Sequence, residues 1–327
     1  MTIDLSLLPP PEVLESLDFE DLYQEVLANF RLGMGDNWTA QLESDPIIKL
    51  LELAAYQKLL GRARVNDAAK ASLLAYARGT DLDNRAADFN VTRLTLTAAD
   101  PDAVPPRLAV METDDALLYR TQLSLEGLSV AGSSGAYEFH ALTASANVAS
   151  VSVDSPTFVA AEVSQAVRAL LPAGAIVLVC DYAAGLTNPL PGDVSLALLP
   201  IVGSEVSAGE LVAIVQKALS AEDVRPITDR PRSQIGLPTA YSVEADLEVK
   251  PGPDREVVMA SARSNLDATV AAARALEGKL SLSAIYAALH VSGVASVKLK
   301  KPAADVICDK RHFPDCTAIT LKPMAST

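Results

Sequence analysis

Residues 45 to 79 constrain the fold of this chain more than any other stretch, because they predict one long helix whose apolar residues do not keep to one face. Asp45 followed by Pro46 reads as a helix start: a capping carboxylate, then proline at the first helical position, where its missing N–H costs nothing. Gly79 reads as the stop, with Arg78 beside it to meet the negative end of the dipole. An unbroken run would extend roughly 50 Å. Between Ile47 and Leu60 the charged or amide residues are Lys49, Glu52, Gln57 and Lys58, so Ile47, Ile48, Leu50, Leu51, Leu53, Leu59 and Leu60 surround the helix rather than stripe it. A helix apolar all round needs cover on every side. The polar, proline-bearing segments near it offer only one good helix as cover, so other chains are expected to supply the rest. The expected contact residues are Ile47, Ile48, Leu50, Leu51, Leu59 and Leu60.

With 327 residues the chain is long enough for two or three domains, each with its own core. Half the residues are hydrophobic and 5% aromatic, which is a globular composition. The net charge of −14 opposes nucleic acid, since a DNA binder must bring cations to displace phosphate counterions. The first residues lack the basic segment and long apolar core of a signal peptide, and no membrane span is expected. Three cysteines suit a reducing compartment.

The pattern predicts an α+β multidomain chain with boundaries near 95/96 and 235/236: an N-terminal helical segment, an α/β middle domain and a compact α+β C-terminal domain. In the first part Asp18 caps an amphipathic helix carrying Phe19, Leu22, Tyr23, Val26, Leu27 and Phe30, which Gly33-Met-Gly-Asp-Asn ends. Thr80 or Asp81 then caps a short helix through Leu82, Ala86 and Phe89. Residues 98 to 107 read as a linker. Next come a helix from Asp114 or Asp115 to Gly127 and a loop at Ala131-Gly-Ser-Ser-Gly leading into Ala136 to Ala144. An alternating strand over 148 to 153 follows, then buried strands at Ala175 to Cys180 and Val194 to Leu199, and a helix through Leu211, Ile214, Val215 and Leu219. In the last part Tyr241 to Val249 alternates, with Val243, Ala245, Leu247 and Val249 inward. Pro251-Gly-Pro turns the chain, Asp254 caps a helix with Val257, Val258, Leu266 and Val270, a second helix starts at Ser281 or Ser283, and Val294 to Lys300 closes as a strand. This unit is expected to fold alone.

No phosphate-binding loop or nucleophile elbow is present. The loop at 132 to 135 reads as a flexible turn, and His140 and His290 read as partly buried, satisfied histidines. Cys308, His312 and Cys316 form a weak candidate for soft-metal coordination. A tetrahedral site would need a fourth ligand from Asp305, Asp309, Asp315 or further away, so a reduced, metal-free loop is expected, with a Cys308–Cys316 disulfide the lesser alternative. The segment around Arg225, Arg230 and Arg232 is either a solvated loop with weak ion pairs or an interface element. No cofactor and no catalytic residue are expected.

Several segments, in order along the chain, carry a resemblance. They are Asp45-Pro-Ile-Ile-Lys-Leu-Leu-Glu, Arg64-Val-Asn-Asp-Ala-Ala, Leu74-Ala-Tyr-Ala, Thr80-Asp-Leu-Asp and Phe89-Asn-Val-Thr-Arg-Leu. The series continues with Glu126-Gly-Leu-Ser-Val-Ala-Gly-Ser-Ser-Gly-Ala-Tyr-Glu-Phe-His-Ala-Leu, Glu222-Asp-Val-Arg-Pro-Ile-Thr-Asp, Pro251-Gly-Pro-Asp and Leu280-Ser-Leu-Ser-Ala-Ile-Tyr-Ala-Ala-Leu-His-Val. Together they resemble the J-type baseplate assembly proteins of contractile phage tails and tail-like bacteriocins. Residues 156 to 192 fit that pattern poorly and are expected to hold an extra element. The ending Cys316-Thr-Ala-Ile resembles the family's, where no metal is expected, whereas Cys308 and His312 look particular to this sequence.

The resemblance implies a structural, non-enzymatic wedge protein of the virion tail baseplate, assembled in host cytoplasm. Its implied partners are a second copy of itself and a second tail protein in a 2:1 wedge, repeated six times around the hub, and a sheath-initiator-type protein. It implies an inner ring whose rearrangement releases the sheath. Nucleic acid and membrane are not among the implied partners. The alternatives are the equivalent component of a type VI-like or extracellular contractile injection system, or an enzyme with an unrecognised site in the middle domain.

Overall fold

The computed structural model describes residues 3–35, 42, 45–250 and 254–324. The turn expected at Pro251-Gly-Pro and the Asp36-Asn part of the expected break at Gly33 lie outside the described residues. In chain order the first elements are α1 (Phe19–Met34), α2 (Pro46–Ala71), α3 (Gly79–Ala87), β1 (Thr95–Thr97), β2 (Val110–Met111) and α4 (Asp114–Leu123). There follow α5 (Ser134–Ala144), β3 (Val148–Asp154), β4 (Thr157–Ala160), α6 (Gln165–Arg168), β5 (Leu178–Tyr182), β6 (Asp193–Pro200) and α7 (Ala208–Leu219). The last are β7 (Arg230–Ile235), β8 (Leu237–Val249), α8 (Arg255–Ala273), β9 (Lys279–Leu280), α9 (Leu282–Leu289), β10 (Val294–Lys301), β11 (Val306–Ile307) and β12 (His312–Pro323). Two compact units result, one of residues 1–93 and 113–122, the other of 94–112 and 123–327.

The first unit is helical. Asp18 accepts from the N–H groups of Glu20 and Asp21, and Asp45 accepts from Ile47 N–H at 2.8 Å, so both helix starts follow from local side-chain chemistry. The long helix ends at Ala71, seven or eight residues before the expected stop at Gly79, and is about 39 Å long. Ser72 returns its hydroxyl to the Ala69 carbonyl, and Tyr76 reaches the Leu8 carbonyl at 3.1 Å, which draws the chain out of the helix. Gly79, at φ +53°, opens α3 instead of closing α2. Neither Thr80 nor Asp81 caps that helix: Gly79 N–H donates to Asp114 at 2.9 Å, and Arg93 bridges Asp83 and Asp114 at 2.7 Å each. The Gly79 N–H, and after it the Arg93 guanidinium, hold the Asp114 carboxyl below its usual range.

In the second unit β3, β6 and β7 form one sheet, β6 pairing antiparallel with β3 and parallel with β7. The β6–β7 link is the crossover through α7, whose start is closed by a reciprocal Ser207–Glu210 capping box. Strand β6 is buried on both faces, which explains its unbroken apolar run. Leu196 and Leu198 meet Tyr137, Ala141, Leu211, Val215 and Leu219 on the helical side, while Ala197 and Leu199 meet Leu276 and Phe313 on the other.

A second sheet runs β10-β8-β12. Val243, Ala245 and Leu247 of β8 face Ala262 and Leu266 of α8 and Ile285 and Leu289 of α9, as the alternation demands. Val257 points to solvent. Strand β12 replaces the loop that the sequence predicts around Cys316: it pairs parallel with β8 over His312 to Pro323. The sheet strand also continues backward, since β7 runs into β8 with Gly236 alone between them.

Residues 157–182 form a two-stranded arm of β4 and β5 with the short α6 between, inside the stretch 156 to 192. The strand expected to be buried around Ala175 to Cys180 is exposed there, because a ribbon of two strands offers no covering layer. Ile176, Leu178 and Val179 all face solvent.

Candidate assembly interface

Helix α2 has two unlike apolar faces. At 100° per residue Ile48, Leu51, Ala55, Arg62 and Asn66 fall on one face. That face is filled by the chain's own α1: Leu27, Ile48 and Leu51 form a small core, with Tyr23, Val26, Phe30 and Ile47 packed around it. Polar contacts extend the seam. Lys58 pairs with Glu25 at 2.6 Å, Arg62 with Glu15 at 2.6 Å, and the buried Asn66 amide closes two hydrogen bonds with the Glu15 backbone. Hydrogen bonding and the charge of Lys58 hold Glu25 below its usual carboxylate range.

Leu50, Leu53, Tyr56 and Leu60 fall on the opposite face, and they are 63%, 54%, 49% and 43% exposed. Of the residues expected to meet a partner, Ile48 and Leu51 are therefore occupied within the chain, Ile47 and Leu59 are half-buried, and Leu50 and Leu60 are open. Leu53 and Tyr56 belong to the open stripe as well. Helical spacing alone would have sorted the two faces.

The arginine segment in the second unit is bonded internally. Arg225 donates to the carbonyls of Ser220, Pro226, Ile227 and Asp229, closing its own loop. The Asp229 carboxylate accepts from Tyr137 Oη at 2.8 Å; burial and this bond push the tyrosine well above its usual range. Arg230 and Arg232 flank Asp193, whose side chain is fully buried, at 3.3 and 3.1 Å. These cations knit β6 to β7, with Arg230 keeping about half its surface in solvent.

Cys308, His312 and Cys316 have separate roles. The Cys308 thiol lies in the C-terminal core, Cys316 flanks that core on β12, and His312 Nδ1 sits 2.6 Å from Asp309 Oδ1. Among the described residues no group of three His, Cys, Asp or Glu side chains is placed to hold a metal. His140 is partly buried against Gly127 O at 3.2 Å, and burial holds its pKa below the usual value. His290, expected to be partly buried, ends α9 in the open. The glycines of 126–135 are positions of close approach: a Cβ on Gly127 would strike the Phe139 ring, and one on Gly132, at φ +75°, would strike Asp229. The loop is thus a packed joint, not a free turn. Among the described residues no helix is long and apolar enough to cross a membrane.

The baseplate J-like N-terminal domain family matches residues 43–100, and the baseplate J-like protein C-terminal domain family matches residues 241–322. The chain is 40% identical over 321 residues to baseplate protein J of Escherichia phage P2, spanning 96% of this chain and 95% of that protein. A chain of the six-fold symmetrised anti-feeding prophage baseplate is similar at 12% identity and a TM-score of 0.28, a likeness too loose to carry structural detail. The match covers 92% of this chain but only 53% of that one.

Proposed function

The chain belongs to the baseplate J-like family, and from that premise we propose that it is a structural wedge protein in the baseplate of a contractile virion tail. It works without catalysis, as two copies with one copy of a second tail protein, repeated six times around the hub. In this reading the first unit joins a mixed helical bundle and the rest of the chain pairs copies within and between wedges, next to a sheath-initiator-type protein. The observation that carries the reading is the open stripe Leu50, Leu53, Tyr56, Leu60, an apolar helix face that its own chain leaves uncovered. Release of the sheath then follows from interfaces with two packings of similar energy. The three-part division at 95/96 and 235/236 remains part of the proposal. Native mass spectrometry of the chain co-expressed with the tail proteins encoded beside it tests the reading: a 2:1 complex is expected, and a chain that stays alone overturns it.

A further inference from the structure

We propose that the turn Asp309–His312 is a clamp that fixes the β4–β5 arm to the C-terminal sheet, so that arm and sheet move as one piece. The arm needs such a fixture. A ribbon of two strands is marginal in water by itself, and this one leaves Leu170, Ile176, Leu178 and Val179 exposed. Its orientation must therefore be imposed at its base.

The base is held from two sides. Asp154, at the end of β3, accepts from Tyr182 Oη at 2.5 Å and from Lys310 Nζ at 3.1 Å, and Lys310 also donates to Val153 O. One carboxylate thus joins the arm's second strand to the turn. On the other side the Arg311 guanidinium lies flat against Gly185, at φ +71°, where any Cβ would overlap it. Arg311 Nη2 is 3.4 Å from Gln234 Oε1. Gln234 donates to Ser195 Oγ at 2.8 Å, and Ser195 donates to Ala184 O at 2.9 Å. The contacts close a ring from the arm's base through β6 and β7 to the turn and back.

The turn is itself fixed and continuous with the second sheet. Asp309 Oδ1 accepts from the N–H groups of Arg311 and His312 at 2.9 and 3.0 Å and lies 2.6 Å from His312 Nδ1. Leu237 N–H, at the start of β8, donates to Arg311 O at 2.7 Å, and Glu277 N–H donates to His312 O at 3.2 Å. Of the weak metal candidates only His312 is engaged in this joint, while Cys308 and Cys316 lie in or beside the C-terminal core.

Hydrogen exchange on the full chain tests the clamp. In Arg311→Ala, the amides of residues 178–186 and those of Leu237, His312 and Phe313 should exchange about tenfold faster together, while β3 and α7 stay protected. Arg311→Lys should accelerate the same segments, because it keeps the charge and loses the flat contact. Lys310→Ala, an exposed change that leaves the core intact, should loosen the same two regions to a lesser degree. Unchanged exchange in the arm, or a faster arm beside fully protected Leu237, His312 and Phe313 amides, overturns the proposal.

Discussion

Replacing Leu50 and Leu60 together by glutamate should leave the isolated chain folded and abolish its capture by partner helices. Both side chains stand on the face of α2 turned away from α1. Substitutions at such open positions change stability by about 0.5 kcal/mol or less. The four stripe residues together leave roughly two side chains' worth of apolar surface uncovered, so full burial would contribute about 3–6 kcal/mol. Carboxylates inside a covered seam add a desolvation penalty of several kcal/mol. The partner affinity should therefore fall by at least about a thousandfold. Co-purification and native mass spectrometry read the binding, and thermal melting reads the fold. Leu51→Ala is the internal control: Leu51 is 7% exposed in a core of three buried residues. Its truncation should cost about 2–3 kcal/mol, toward the low end because only α1 surrounds it. Undiminished co-purification of the double variant would refute the reasoning. So would a loss of stability in the double variant as large as that of Leu51→Ala.

Three further outcomes are expected. Asp193→Ala removes the buried carboxylate between Arg230 and Arg232 and should lower unfolding stability by about 2–3 kcal/mol in urea titration, less than a fully buried pair because both arginines rehydrate. Burial depresses the His140 pKa, so on acidification the unfolded chain takes up this proton first; the linked stability is present above about pH 6.5 and is lost as pH falls toward the folded value. His140→Gln, which retains a donor for Gly127 O, should flatten that slope, and an unchanged slope would assign it elsewhere. Residues 236–327 made alone should give a dispersed NMR spectrum, since the core around Val243, Leu247, Leu266 and Leu289 closes within them, with losses confined to the surroundings of Leu276 and Phe313. A collapsed spectrum would contradict this.

What was legible in the sequence was local. The caps at Asp18, Asp45, Asp254 and Ser281 are side-chain bonds to backbone two or three residues away, and the spacing of residue types displays them. The alternation of β8 likewise declared its buried face. Features made by distant chain were hidden. The early end of α2 involves Tyr76 reaching Leu8, and β12 exists because β8 lies beside it, although Pro314 and Asp315 read as loop residues. The run Ile176 to Cys180 has the composition of a buried strand, and composition does not say whether a second layer is present. Arg225 reads as available for a partner, but the carbonyls that take its donors belong to residues 220–229, and only the folded loop brings them around one guanidinium.

The boundary proposed at 235/236 falls inside one compact unit, residues 94–112 and 123–327. Gly236 is the point where one strand leaves the first sheet for the second: its N–H still donates to Leu198 O, and the next residue already donates to Arg311 O. A Cβ at Gly236 would strike Leu276, so the glycine permits close packing at the crossing instead of a hinge. Ser152 Oγ donates to Glu277 at 2.6 Å, Arg274 donates to Pro200 O, and the Arg274 guanidinium lies 5.0 Å over the Phe313 ring. Two hydrophobic cores are thereby joined across a shared layer of Ala197, Leu199, Leu276 and Phe313. In the proposed baseplate role such a joint would serve to transmit displacement, because bending between the two sheets would absorb it before it reached a neighbouring subunit.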